Sequence, residues 1–191
     1  MNDRLMLRPL FGGSLSCDVP ESFADVSTFR QVPDNQEVFA NAATDQCVIV
    51  ELLQYEDIVQ DAQSALYFFN EIAQSNGCGP DEVTVLFEET SNAEYTGINV
   101  PHATQIIVGD QCVAKFIEGD HAKNVVRVYL GNIRLPTVTT DVVLSVSTPI
   151  RISPASSSRE AFQFQQDQES ASLIFKQALH SFVVKDWSLF T

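Results

Sequence analysis

Carboxylates are the commonest groups in this chain that could do chemistry, with 25 Asp and Glu against 11 Lys and Arg. General acid–base work would need two of them to converge in environments that push their pKa values apart. The adjacent pairs Asp81-Glu82 and Glu88-Glu89 do not require that, because neighbours in sequence need not face one another. Asp141 precedes an apolar run and has no sequence neighbour that could orient it as a base. These carboxylates read as solvated groups at strand ends. Cys17, Cys47, Cys78 and Cys112 stand about thirty residues apart without a CxxC pair, and His102, His121 and His180 are equally scattered. No zinc site follows from such spacing, and the thiols read as reduced and mostly buried. Gly12-Gly13 and Gly77-x-Gly79 lack the lysine and the strand–loop–helix setting of a phosphate loop. Neither a GxSxG elbow nor an HExxH helix is present. No cofactor is expected, and nothing recommends a triad assembled in space.

The distribution of charge is more informative than its total of -14. Between Pro9 and Ala114 there are seventeen acidic residues and one basic residue, Arg30, a local balance of -16. The other positions carry a balance of +2. Such a region repels nucleic acid and suits a basic protein partner through steering and complementarity. The high net charge also favours a monomer. No apolar run reaches the length of a membrane span, and the first residues lack the pattern of a leader, so cytosol or nucleus is the expected compartment.

A single domain over residues 1–191 is expected. Leu5–Leu10 and Ser14–Val19 read as strands separated by Gly12-Gly13. Phe23–Phe29 could make one helical turn before Pro33-Asp34-Asn35, where proline fixes φ and asparagine tolerates the left-handed region. Gln36–Ala40 and Cys47–Leu53 read as strands, the second apolar on both faces except at Glu51. Such a strand is covered on two sides, which implies helices over both faces of a sheet. Ile58, Ala62, Ala65, Leu66, Phe69, Ile72 and Ala73 form a helical stripe, ended by Asn76-Gly77. Ala171, Ile174, Phe175, Ala178 and Phe182 form a second. Glu82–Thr90, Thr104–Ile117, Val125–Leu135 and Asp141–Thr148 lie between them with short connections, which predicts hairpins and a largely antiparallel sheet. Ser153–Ser158 and Gln163–Gln168 read as a loop, with Ser157 and Glu160 placed as a capping box. Trp187 and Phe190 are expected to pack the C-terminal segment on the core. The fold class is α/β (α+β), an α/β/α sandwich on an antiparallel sheet.

Four blocks then carry a resemblance. They are Arg8-Pro-Leu-Phe-Gly-Gly13; Phe23 to Phe39, with its Asp25-Val-Ser27 and Arg30-Gln-Val-Pro-Asp-Asn-Gln-Glu-Val38 core; Val48-Ile-Val-Glu-Leu-Leu53; and Asp186-Trp-Ser-Leu-Phe190. In these the chain resembles the MOG family, the Ran guanine nucleotide release factors, over nearly its whole length. The resemblance implies a MOG/PsbP-like sandwich, binding to the GTPase Ran, stimulated release of its guanine nucleotide and a role in nucleocytoplasmic transport. It further implies residence in nucleus and cytoplasm, and no chemistry on a substrate. A PsbP-like module that binds a basic partner without affecting nucleotide is the alternative. In the family, acidic residues in and around a DLLE-like block are tied to Ran binding. Glu51 holds the first acidic position of that block, and Gln54 stands at the second, where other members carry an acid. A regular strand would point Glu51 and Gln54 to opposite faces. Asp25, Asp34 and Glu37 of the central block are added as contacts, although Asp25 could instead cap a turn at Ser27 and Asp34 could hold its own turn.

Overall fold

Apolar residues alternating with period two sort each long strand into two faces, and the two faces bury against different layers. The computed structural model describes residues 3–91, 96–100, 102–114, 118–159 and 168–190. The strands are β1 (Leu5–Leu10), β2 (Leu15–Pro20), β3 (Ala24–Asp25), β4 (Gln36–Asn41), β5 (Gln46–Gln54), β6 (Val83–Ser91), β7 (Ala103–Val113), β8 (Asn124–Leu135), β9 (Thr140–Arg151) and β10 (Val183–Val184). The helices are α1 (Ser64–Ser75) and α2 (Gln168–Ser181). A seven-stranded sheet runs β3-β4-β5-β9-β8-β7-β6, and a three-stranded one runs β1-β2-β10. Every pairing is antiparallel. The fold is thus α+β, with the expected antiparallel sheet between helices. The small sheet is separate because β2 pairs with β1 and with the C-terminal β10, and none of the three pairs with a strand of the larger sheet.

The even-numbered residues of β5 and β9, among them Val48, Val50, Leu144 and Val146, face α2 and the small sheet in the larger core. Gly131 leaves room there for Phe175 and Leu179 of α2. Trp187, Leu189 and Phe190 pack against the same core, and Lys185 and Asp186 donate backbone hydrogen bonds to the Ser14 carbonyl. The opposite face carries Ile107, Val128, Leu130 and Val143 under Phe68 and Phe69 of α1.

Gly109 sets where α1 docks. A Cβ added there would lie 2.5 Å from Cζ of Phe69 and from the Thr84 carbonyl oxygen. Gly109→Ala is therefore expected to cost about 1–3 kcal/mol, read from the urea unfolding midpoint. An unchanged midpoint would mean that the helix is not held at this contact. At its other end α1 finishes on Gly77 at φ 74°, with Gly77 N–H donating to Gln74 O and Cys78 N–H to Ala73 O. That is a Schellman ending, as Asn76-Gly77 predicts.

Several expectations shift. The apolar stripe does not start a helix at Ile58, which sits in a turn, nor at Ala62, which sits in the short 3₁₀ turn Asp61–Gln63. Phe23–Phe29 contains a 3₁₀ turn, Val26–Thr28, after the two residues of β3. Because α1 sits over β7 and β8, the face of β5 bearing Cys47, Ile49, Glu51 and Leu53 is only half-buried instead of fully covered. Asp141 is not solvated but fully buried. All four cysteines are free thiols, with Cys17 buried and the others half-buried. Burial pushes the Cys17 and Cys47 thiols up to about 12. Glu160, residues 163–167 and residues 115–117 lie outside the described residues. No helix among the described residues is long and apolar enough to cross a membrane.

Candidate functional site

The half-covered face of β5 forms the floor of a groove of about 710 Å³, walled on one side by α1. Ile49, Leu53, Val126 and Val143 make its base apolar, and Phe68 and Ile72 make its wall. Four carboxylates line it, Asp45, Glu51, Glu56 and Glu71, and no Lys or Arg among the described residues does. Burial, and then the charges of Glu56 and Glu71, push the Tyr67 hydroxyl above its ordinary pKa. An apolar trough edged by carboxylates suits a segment of a protein that presents basic and apolar residues together. Among the described residues no group of three His, Cys, Asp or Glu is placed to hold a metal ion.

Glu51 pairs across the ladder with Gln36. Its Oε1 accepts hydrogen bonds from Gln36 Nε2 at 2.9 Å and Asn35 Nδ2 at 3.3 Å. Asn35 Nδ2 also donates to the Leu52 carbonyl, and the Leu52 N–H donates to the Asn35 carbonyl. Both donors to Glu51 are neutral amides, so its charge is positioned without being cancelled. Asp34 is exposed in the turn closed by Gln36 N–H to Pro33 O, directly before these amides. The strand continues without a bulge to Gln54, paired with Thr140. Alternation therefore puts Gln54 on the face opposite Glu51, yet as the last residue of the strand it still borders the groove.

Glu37 and Asp25 are placed elsewhere. Glu37 pairs with Val50 on the other face of the sheet, and its Oε1 accepts from the Phe11 N–H. Phe11 has φ 48°, so the carboxylate pins a left-handed residue in the β1–β2 turn. Asp25 Oδ1 accepts from Ser27 N–H at 2.8 Å and Ser27 Oγ at 2.7 Å, capping the 3₁₀ turn. Of the five residues singled out in the sequence, Glu51 and Gln54 border the groove from opposite faces of β5, and Asp34 directly precedes an amide that bonds Glu51.

Two further groups escaped the sequence reading. One comprises Asp45, Glu56 and Glu71, which reach the groove from three different elements. The other is a buried ion pair. Arg134 and Asp141 are 1% and 0% exposed, with Arg134 Nε 3.1 Å from Asp141 Oδ1. Arg134 also meets Asp61 Oδ1 at 3.0 Å, donates to the carbonyls of Glu56 and Val59, and lies 4.1 Å from the Tyr55 ring centre. Asp141 accepts from Asn132 Nδ2 and from the Glu56 N–H. A signal for it existed, since Arg134 interrupts an apolar strand and Asp141 lies symmetrically across the β8–β9 turn.

Comparison with known proteins places the whole chain among relatives. A family model described as Ran-interacting Mog1 protein matches residues 8–149. The Ran guanine nucleotide release factor of Danio rerio is 45% identical over 156 residues, covering 80% of this chain and 83% of its own. The nuclear import protein mog1 of Schizosaccharomyces pombe is 34% identical over 146 residues, covering 74% of this chain and 75% of its own. The crystal structure of the Saccharomyces cerevisiae Ran-binding protein Mog1p superposes with a TM-score of 0.74 at 22% identity, over 99% of this chain and 100% of that one.

Proposed function

This chain belongs to the family of Ran-interacting Mog1 proteins, and from that premise we propose that it binds the small GTPase Ran, promotes release of its guanine nucleotide and thereby supports nuclear transport. The observation that carries the reading is the groove edged by four carboxylates and no described cation, with Glu51 held at its margin by amides. The protein acts as a GTPase regulator. A factor that binds empty Ran more tightly than loaded Ran must weaken nucleotide binding by the same ratio, because linkage is reciprocal.

Glu51 is assigned the central role, with Asp34 beside it. A carboxylate delivered to the nucleotide site competes with phosphate for the phosphate-loop lysine and repels phosphate itself. Gln54 borders the same groove, and Glu56 supplies a carboxylate there two residues further on. Glu37 and Asp25 serve the fold. The chain works as a monomer that meets Ran in nucleus and cytoplasm.

Exposed charge pairs weaken as salt is raised. Calorimetric titration of Ran at increasing salt is expected to raise Kd about tenfold between low and roughly threefold physiological ionic strength. A salt-independent Kd would remove the acidic groove from the interface.

A further inference from the structure

The turn that follows β5 has a construction that folding alone does not require. Glu56 O accepts from Val59 N–H, so Asp57 and Ile58 occupy the two central positions of a tight turn. Those positions favour Gly, Asn, Asp and Ser, and a β-branched apolar residue gains nothing there from the fold. Ile58 is 84% exposed, the most exposed of the large apolar residues described. A lone exposed apolar side chain is ordinary on a protein surface. Here, however, the backbone beneath it is fixed on both sides. Arg134 donates to the carbonyls of Glu56 and Val59, and Asp141 accepts from the Glu56 N–H. Burying that ion pair carries a desolvation cost, and the turn is the segment it secures.

We propose that Ile58 is a preorganised apolar anchor that inserts into an apolar socket rimmed by basic residues on the GTPase, an inference that rests on the function proposed above. The turn adjoins the groove, since Glu56 lines it and Gln54 precedes it by a few residues. Exposed Asp57 is the chain neighbour of the apolar tip, and Glu56, one residue earlier, adds a carboxylate at the groove edge. The complementary socket is therefore apolar at its centre and cationic at its edge. A rigid tip loses little conformational entropy on docking, which is the advantage that the buried pair provides. Binding centres are usually organised this way, with a few buried apolar anchors inside a polar rim.

The test uses the full chain and purified Ran, with Kd measured for the parent, Ile58→Ser, Ile58→Leu and Glu51→Lys. Ile58→Ser is expected to weaken binding about tenfold or more, with the salt dependence of the parent and an unchanged melting temperature. Ile58→Leu is expected to stay within about threefold of the parent. Parent-like binding by Ile58→Ser, with binding lost in Glu51→Lys, would overturn the anchor and leave the acidic site standing. Failure of the parent itself to bind Ran would remove the proposed function and the anchor with it.

Discussion

Replacing Asp141 with alanine is expected to lower the stability of the fold by about 3–5 kcal/mol, the largest effect of any single change considered. The substitution removes the carboxylate that faces Arg134 where both side chains are buried. The guanidinium retains Asp61, whose side chain is 57% exposed, and two backbone carbonyls. Asp61 still supplies a countercharge at 3.0 Å, but from a carboxylate partly in water, so it offsets the missing buried charge only in part. The Glu56 N–H and Asn132 Nδ2 lose an acceptor at the same time. Both terms act in one direction, and an unsatisfied buried donor adds to the cost of a charge left only partly compensated. Denaturant unfolding of the variant beside the parent would measure the loss. A loss below about 1 kcal/mol would mean that Arg134 reaches water once Asp141 is gone. The same variant should also loosen the turn at Ile58, because the Glu56 N–H would lose its acceptor.

Glu51→Lys should have the opposite character, with little effect on folding and a large one on function. The Glu51 side chain is half-buried at the groove margin, and its partners are the amides of Asn35 and Gln36. Losing them is expected to change stability by no more than about 1 kcal/mol. In contact with a basic partner, the reversal replaces an attraction with a repulsion. A loss of about 2 kcal/mol or more follows, roughly thirtyfold in Kd. Circular dichroism and titration against Ran would separate the two effects. Retained affinity in the folded variant would make Glu51 a structural residue and return the search to Asp34, Glu56 and Glu71.

The contrast between these residues shows what the chain discloses before it folds. The strands were legible because β-branched and aromatic residues cluster between turn signals, and the helix ending at Gly77 announced itself through glycine at a left-handed position. The start of α1 was not legible. Ile58 and Ala62 continue its apolar period by coincidence, and the turn that interrupts them is fixed by Arg134, a residue from a distant strand. Cys47–Leu53 reads as covered on both faces, and only tertiary packing reveals that α1 sits to one side and leaves a groove.

The site was legible to a similar degree. Glu51 stood out as the one charge in an apolar strand. Glu37, only one block away, could not be separated from it by composition. The β4–β5 register does separate them, pairing Gln36 with Glu51 and sending Glu37 to the other face. Asp45, Glu56 and Glu71 meet only after β5 and α1 are packed, so no spacing rule could group them. Resemblance to the MOG family supplied the partner, which charge alone described only as basic.

The claim at the centre of this account is that the chain drives guanine nucleotide off Ran. Stopped-flow release of a fluorescent guanine nucleotide from Ran, at saturating concentration of this protein, tests it most directly. The account predicts accelerated release that Glu51→Lys abolishes. Release at the rate of Ran alone, with binding confirmed in the same sample, would contradict it and leave a protein that holds Ran without acting on its nucleotide.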